Sequence, residues 1–231
     1  MTKLRLLSGG AAQGLVSALA PQFEAETGFR IEGTFGAVGA RSAELRSGKP
    51  ADFVILTSAL VTELAQDGYI IGSSAADVGV VHTAVAVRTG DTVPAISDVA
   101  ELRNAFLGAD EIYVPDMHKS TAGIHIAKVL VELGIKDEVS ARLRAFPDGA
   151  TAMKNLASSR GIKPIGSTQA TEILNTPGVT LAASLPKGSE LATTYTAAIC
   201  TTAEYPDQAR RFIKLLTGKM ARESRQQAGF T

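Results

Sequence analysis

At 231 residues, with 45% hydrophobic and 20% charged side chains, the chain is long enough for one large domain or two small ones with a real core, and its composition excludes a disordered polymer. Twenty-three basic residues balance twenty-three acidic ones, with no basic block of the kind that tracks a phosphate backbone, and the scarcity of aromatic residues and absence of tryptophan leave no platform for stacking bases or sugars. A single cysteine, Cys200, rules out an internal disulfide and a cysteine-rich zinc site, so the expected ligand is small and polar.

Met1-Thr2-Lys3-Leu4-Arg5-Leu6-Leu7 enters a first strand with no apolar stretch long enough for a secretory leader, and no run reaches membrane-spanning length. The expectation is a cytoplasmic protein, or a periplasmic one from which a leader has been removed. The strand passes through Ser8-Gly9-Gly10-Ala11 into a helix whose Leu15, Leu19 and Phe23 recur every four residues, with Val16 and Ala20 beside them. Pro21 is expected to kink or restart that helix, and Thr27-Gly28 to close it. Residues 29–35 alternate apolar and polar as a strand does, a second helix carries Ala43 to Arg46, and Pro50 to Leu56 reads as a short buried strand before a helix near Leu60 to Gln66.

Val80 to Arg88 is predicted as a strand, Asp98 to Phe106 as a helix and Glu111 to Pro115 as another strand, followed by a helix from about Ala122 to Leu133. Phe146 to Leu156 reads as a turn and helix, Ile165-Gly166 as a strand end, Val179 to Ala183 and Thr194 to Thr201 as strands, and Pro206 to Leu216 and Ala221 to Gln227 as helices. Strands alternating with helices imply sheets covered on both faces, with ligands off the carboxyl ends of the strands. Apolar neighbours make Cys200 an expected core thiol.

One device recurs. Ser8-Gly9-Gly10-Ala11, Gly36-Ala37-Val38-Gly39, Ser120-Thr121-Ala122-Gly123 and Gly166-Ser167-Thr168-Gln169 each read as an apolar strand, small residues and a helix start. The first turn of a helix carries N–H groups without intrahelical partners and a partial positive charge, so the four stretches together point to an anion held by backbone donors. Neither the dinucleotide fingerprint nor the phosphate-loop pattern is present. Arg41 is either a bidentate clamp for a carboxylate or a solvated surface arginine. Asp116 to Thr121 gathers His118, Lys119 and two hydroxyls at one helix start: either a proton-transfer pair next to a carboxylate or a solvated loop. His125 shares a helix face with Thr121 and Lys128, and His82 falls in a strand. The three histidines are scattered, no metal cluster is expected, and no Gly-x-Ser-x-Gly elbow is present.

Phe23-Glu24-Ala25-Glu26-Thr27-Gly28, Ser47-Gly48-Lys49-Pro50-Ala51-Asp52, Thr121-Ala122-Gly123-Ile124 with Ala127-Lys128 and Leu133-Gly134, Tyr195 before Ala197-Ala198, and Ala228-Gly229-Phe230 together resemble the type II periplasmic binding proteins, in the branch that contains molybdate-binding proteins. The resemblance covers nearly the whole chain. It implies an α/β, two-lobed fold: two mixed, mostly parallel sheets flanked by helices, with a ligand cleft between lobes. The corresponding division is residues 1–81 plus 196–231 for lobe 1 and 82–195 for lobe 2. It implies backbone contacts at Ala122 and Ala150, while the family's first-turn serine stands here as Ala11, its second serine as Ala37 and Val38, and its pocket tyrosine as Gly166.

Losing three polar contacts would leave a tetrahedral oxyanion short of donors. The expected ligand is therefore a di- or tricarboxylate in place of molybdate, met by Ser8, Gly9, Gly10, Ala11, Ala37, Val38, Arg41, Ser120, Thr121, Ala122, Ala150, Ser167, Thr168 and Gln169, with no metal and no cofactor. Nucleic acid and membrane insertion are not expected, and a transporter partner is expected only if a leader was removed. Aconitate isomerase is similar to the same branch, so the alternative is a cofactor-independent isomerase or tautomerase of an unsaturated polycarboxylate, with His118 and Lys119 moving the proton.

Overall fold

The structure is a computed structural model that describes residues 2–231. The chain divides into two compact units, the first running to Val81 and resuming at Thr193–Thr231, the second spanning His82–Ala192. The chain passes from one unit to the other within strand β4 (Ala76–Arg88) and returns within strand β9 (Ala192–Ile199). Each unit is an α/β sheet with helices packed on it.

In unit 1, β1 (Thr2–Gly9) is central. It pairs in parallel with β2 (Phe29–Gly36), from Thr2↔Phe29 to Gly9↔Gly36, and on its other side with β3 (Phe53–Thr57), which continues antiparallel to β9. Helices α1 (Gln13–Thr27), α2 (Val38–Arg46) and α3 (Ser58–Gln66) follow the three parallel strands in turn, and α9 (Pro206–Thr217) and α10 (Arg222–Gln227) close the chain. The predicted stripe of α1 is buried at Leu15, Val16, Leu19 and Phe23. Pro21 does not restart this helix, which runs unbroken from Gln13 to Thr27. The carbonyl that Pro21 leaves without an N–H belongs to Ser17, on the exposed face of the helix. Phe212 of α9 meets Phe23 and Phe53 edge-on at centroid distances of 5.0 and 5.7 Å, tying helix to helix and helix to sheet.

Asp52, 1% exposed, staples the unit. Its Oδ2 accepts the amide of Arg5 at 2.7 Å, and its Oδ1 accepts those of Glu204 and Tyr205 at 2.9 and 3.0 Å, where the chain turns into α9. Cys200 is buried beyond the end of β9, and burial, with Asp52 adding to it, pushes its thiol up to about 12, which makes it an inert core group.

In unit 2, β7 (Pro164–Gln169) lies between β4, which it meets antiparallel with Thr83 opposite Gln169, and β5 (Glu111–Pro115), which it meets in parallel. β6 (Leu143–Phe146) extends β5 in parallel, and β8 (Val179–Ser184) pairs antiparallel with the far edge of β4 through an irregularity at Val85/Ala86. Val85, Ile112, Val114 and Ile165 from the sheet pack with Leu102 and Phe106 of α4 (Val99–Gly108), Ile126, Val129 and Leu130 of α5 (Thr121–Glu132) and Val139 of α6 (Lys136–Val139). On the opposite face Met153 and Leu156 of α7 (Gly149–Ala157) press against Gly166, where a Cβ would come within 2.6 and 2.8 Å of them. α8 (Ala170–Leu174) follows β7 directly.

Two departures from the sequence reading bear on the site. Gly166-Ser167-Thr168-Gln169 is not a strand-to-helix turn: all four residues are buried in β7 and the helix begins only at Ala170. β6 and α6 were not predicted at all, because four-residue elements carry too few positions to show a period.

Removing the Asp52 carboxylate leaves three backbone amides without their acceptor. Asp52→Ala is expected to cost about 3 kcal/mol in reversible chemical denaturation, and a loss within ~0.5 kcal/mol would contradict the staple.

Candidate functional site

Unit 1 brings its predicted residues together. β1 ends at Gly9 and a 3-10 turn, Gly10–Ala12, leads into α1; beside it β2 ends at Gly36, in register with Gly9, and Ala37 starts α2. Ser8 to Ala11 and Ala37-Val38 therefore lie at the carboxyl ends of neighbouring parallel strands. No side chain caps the 3-10 turn, α1 or α2. Ser8 is fully buried and its hydroxyl donates to Gly9 O at 2.9 Å, so it is committed to the backbone. A Cβ at Gly9 would come within 2.8 Å of Val38 Cγ1 and 2.9 Å of Tyr195 Cε1, so the bare glycine is what lets β1, α2 and β9 converge. Ala11, Ala37 and Val38 are all buried, and the two turns offer backbone set among methyl groups.

Arg41, in the second turn of α2, lies over Gly36, whose Cβ position would be 3.8 Å from Arg41 Cζ. Its Nη2 pairs with Glu44 Oε1 at 2.8 Å, and the other oxygen of Glu44 takes Lys49 Nζ at 2.9 Å. Arg41 Nε is buried with no hydrogen-bond partner among the described residues. A charged, half-anchored guanidinium with a free donor beside two uncapped turns can take a carboxylate oxygen.

In unit 2, Ser120 is buried at the start of α5 but makes no capping bond, with Thr121 half-buried and Ala122 buried. The loop before it is held by Asp116, whose Oδ1 accepts the amides of His118 and Lys119 at 2.8 and 3.0 Å; that bonding, His118 first, holds the carboxyl below its ordinary range. Gly123 is demanded by the same fold-back, since a Cβ there would sit 2.2 Å from Asp116 O. The residues His118 and Lys119 are both exposed. His125 is half-buried and its Nε2 donates to Ser189 O at 2.8 Å, while His82 is half-buried in β4.

The start of α7, where Ala150 lies, holds what sequence reasoning missed. Asp148 caps the helix by accepting the Thr151 amide at 2.8 Å. Beside it lies the carboxyl of Glu172, from α8, only 6% exposed, with Thr168 Oγ1 donating to its Oε2 at 2.5 Å. A Cβ at Gly149 would fall 2.0 Å from that oxygen and 2.1 Å from Thr168 Oγ1, so the first residue of α7 must be glycine for the acid to fit. Burial is the main influence on this carboxyl and raises it to about 7; the Thr168 bond opposes the rise, nearby Asp148 adds to it, and bonding from the amides of Gln169 and Ala150 opposes it. The signal available in sequence was Thr168 and Glu172 at i, i+4, an acid set into an otherwise apolar and hydroxyl stretch.

Side chains alternate along β7. Gly166 and Thr168 face α7, whereas Ile165, Ser167 and Gln169 face the α5 side, where Ile165 joins the core. Ser167 donates to Ala84 O at 2.9 Å. Gln169 is 2% exposed, yet neither Nε2 nor Oε1 has a partner among the described residues, and the same holds for the hydroxyls of Thr83, opposite it in register, and Thr171. Buried polar atoms of this kind await a ligand or water.

A cavity of about 660 Å³ in the same unit is lined by Val87, Asp91, Asn104, Lys163 and Pro164. It lies at the amino ends of β5 and β7, away from the helix starts, and its Asp91 is already paired with Arg88. Among the described residues no group of three or more His, Cys, Asp and Glu stands together for a metal ion.

The sequence profile described as bacterial extracellular solute-binding protein matches residues 4–231. Aconitate isomerase from Pseudomonas sp is 25% identical over 238 residues, covering 99% of this chain and 87% of that one. The molybdate-binding protein ModA of Escherichia coli K12 is 23% identical over 235 residues, covering 99% and 89%. Among solved structures, the periplasmic molybdate-binding protein of Azotobacter vinelandii superposes with a TM-score of 0.82 at 19% identity, covering 99% of this chain and 98% of that one.

An acid whose folded value is raised holds its proton in the folded chain where the unfolded chain has lost it, so its contribution is present below about 4.5 and is lost as pH rises through about 7. Glu172→Gln should therefore be more stable than the wild type above pH 7, by on the order of 2 kcal/mol, with the difference shrinking below pH 5. Paired denaturation curves at pH 5 and pH 8 check this; a variant less stable at pH 8 than at pH 5, relative to wild type, contradicts it.

Proposed function

Because the chain belongs to the family of bacterial extracellular solute-binding proteins, we propose that it binds a small anion, and that this anion is a di- or tricarboxylate in preference to molybdate. The observation that carries the reading is the pairing, in unit 1, of two uncapped helix starts with Arg41, whose Nε is buried and unpartnered. Ala11, Ala37 and Val38 bring no hydroxyl to these starts, and Ser8 has spent its own. A tetrahedral oxyanion would find few side-chain donors there, whereas a carboxylate is matched by one guanidinium edge and a few amides. Unit 2 has a donor set of its own at the start of α5, with Ser120, Thr121 and Ala122, and in the unpartnered side-chain amide of Gln169. Ala150 and Thr168 belong to the same set, though each is engaged by Glu172.

The family is described as extracellular, and the relatives include a molybdate-binding protein. That supports a periplasmic protein that delivers its anion to a membrane transporter. No helix among the described residues is long and apolar enough to cross a membrane by itself.

A second reading is favoured by a specific likeness. Aconitate isomerase matches 99% of the chain at 25% identity, which supports a cofactor-independent isomerase of an unsaturated polycarboxylate working by proton transfer. His118 and Lys119 are the candidates at the start of α5, exposed on a loop that Asp116 holds in place.

Calorimetric titration with citrate, trans-aconitate, malate, sulfate and molybdate is expected to give saturable binding of a polycarboxylate and weaker binding of both oxyanions. Arg41→Ala should weaken the carboxylate about tenfold or more. Tighter binding of molybdate, or no binding in a folded sample, contradicts the reading. For the isomerase reading, proton NMR of cis- and trans-aconitate with the protein in D2O is expected to show interconversion or deuterium incorporation. Inertness of both excludes it, and turnover unaffected by His118→Ala and Lys119→Ala excludes those residues.

A further inference from the structure

The start of α7 already contains an anion of the protein's own. Glu172 places its carboxyl against Gly149 so closely that no side chain fits there, and Thr168 and the amide of Ala150 are among the donors it uses. An external anion seeking the same amide meets a negative charge that cannot retreat into water, because the group is 6% exposed.

Nothing nearby neutralises that charge. The elements packed against α8 are α7, β7 and β8. β7 and β8 carry no titratable side chain; α7 brings Asp148 at its cap, which is another acid, and Lys154, which is exposed. None of the ion pairs among the described residues includes Glu172. Next to it in α8, Thr171 buries a hydroxyl that has no partner among the described residues. A neutral carboxyl would both remove the repulsion and offer an O–H to an incoming oxygen.

We propose that Glu172 is a proton-uptake site for the ligand, its carboxyl taking one proton from solvent as an anion binds at the start of α7 and then donating that hydrogen to the anion. The proton is gained, no bond of the ligand is broken, and the complex carries one negative charge fewer than the sum of its parts. The consequence is an affinity that falls as pH rises. This rests on the small-anion reading above but holds whether the anion is released unchanged or converted. A carboxyl raised by burial to about 7 is poised for such coupling near neutral pH.

The test is calorimetric titration of the intact chain with trans-aconitate at pH 8 in two buffers of different ionisation enthalpy, Tris and HEPES, repeated across pH 7 to 9, where the probe's own carboxylates are fully ionised. The expected result is a buffer-dependent enthalpy corresponding to uptake of most of one proton, and an association constant that falls up to tenfold per pH unit. Glu172→Gln, which keeps a hydrogen-bond donor but cannot titrate, should bind with no proton uptake and a flat profile. Wild-type binding with no buffer dependence overturns the proposal, and so does an unchanged slope in Glu172→Gln. Absence of any wild-type binding of trans-aconitate instead overturns the tricarboxylate reading on which the proposal rests. The wild-type measurement alone decides the coupling if the variant does not fold.

Discussion

A carboxyl group buried without a cation constrains everything near it, and Glu172 is such a group. Its presence explains why α7 begins with glycine, why Thr168 is turned to one face of β7 with its hydroxyl spent, and why Asp148 holds the helix cap while the next donors serve a different acid. Burying an ionised carboxylate is expensive, and a helix start with one hydroxyl offsets only part of the cost. The remaining cost leaves the carboxyl close to neutrality at physiological pH.

Unit 1 follows the opposite plan. There the strand-to-helix turns are empty of side-chain polar groups, and the positive charge is supplied by Arg41, held on one side by Glu44 and unfilled on the other. One unit therefore presents turns with no acid set into them, the other a helix start partly occupied by one. A solute-binding family can change its ligand by such means without altering its sheet, since the turns and helix starts carry the chemistry while the strands carry the fold.

The fold was largely legible in the sequence because its signals are local. The Leu15-Leu19-Phe23 stripe, the alternation in β2 and the buried run of β3 each declare their element within a few residues. What failed has physical reasons. β6 is a four-residue strand with no buried position, and it exists because β5 pairs with it. Ser167, Thr168 and Gln169 look like a polar helix start, but antiparallel pairing with β4 overrides their local preference and keeps them in β7. Of the candidate site, the strand ends and helix starts at Gly9, Ala37 and Ser120 were legible, because backbone geometry makes them. It was illegible at Glu172, because an acid at one position of a helix says nothing alone about the glycine twenty-three residues earlier that makes room for it.

Coupling of the Glu172 proton to anion binding is followed directly by carbon-detected NMR of the labelled carboxyl. Titrating Glu172 in the free protein and again with saturating trans-aconitate should show a midpoint near neutrality that moves upward in the complex. A Glu172 carboxyl that titrates in the ordinary range of glutamates, in both states, would contradict it.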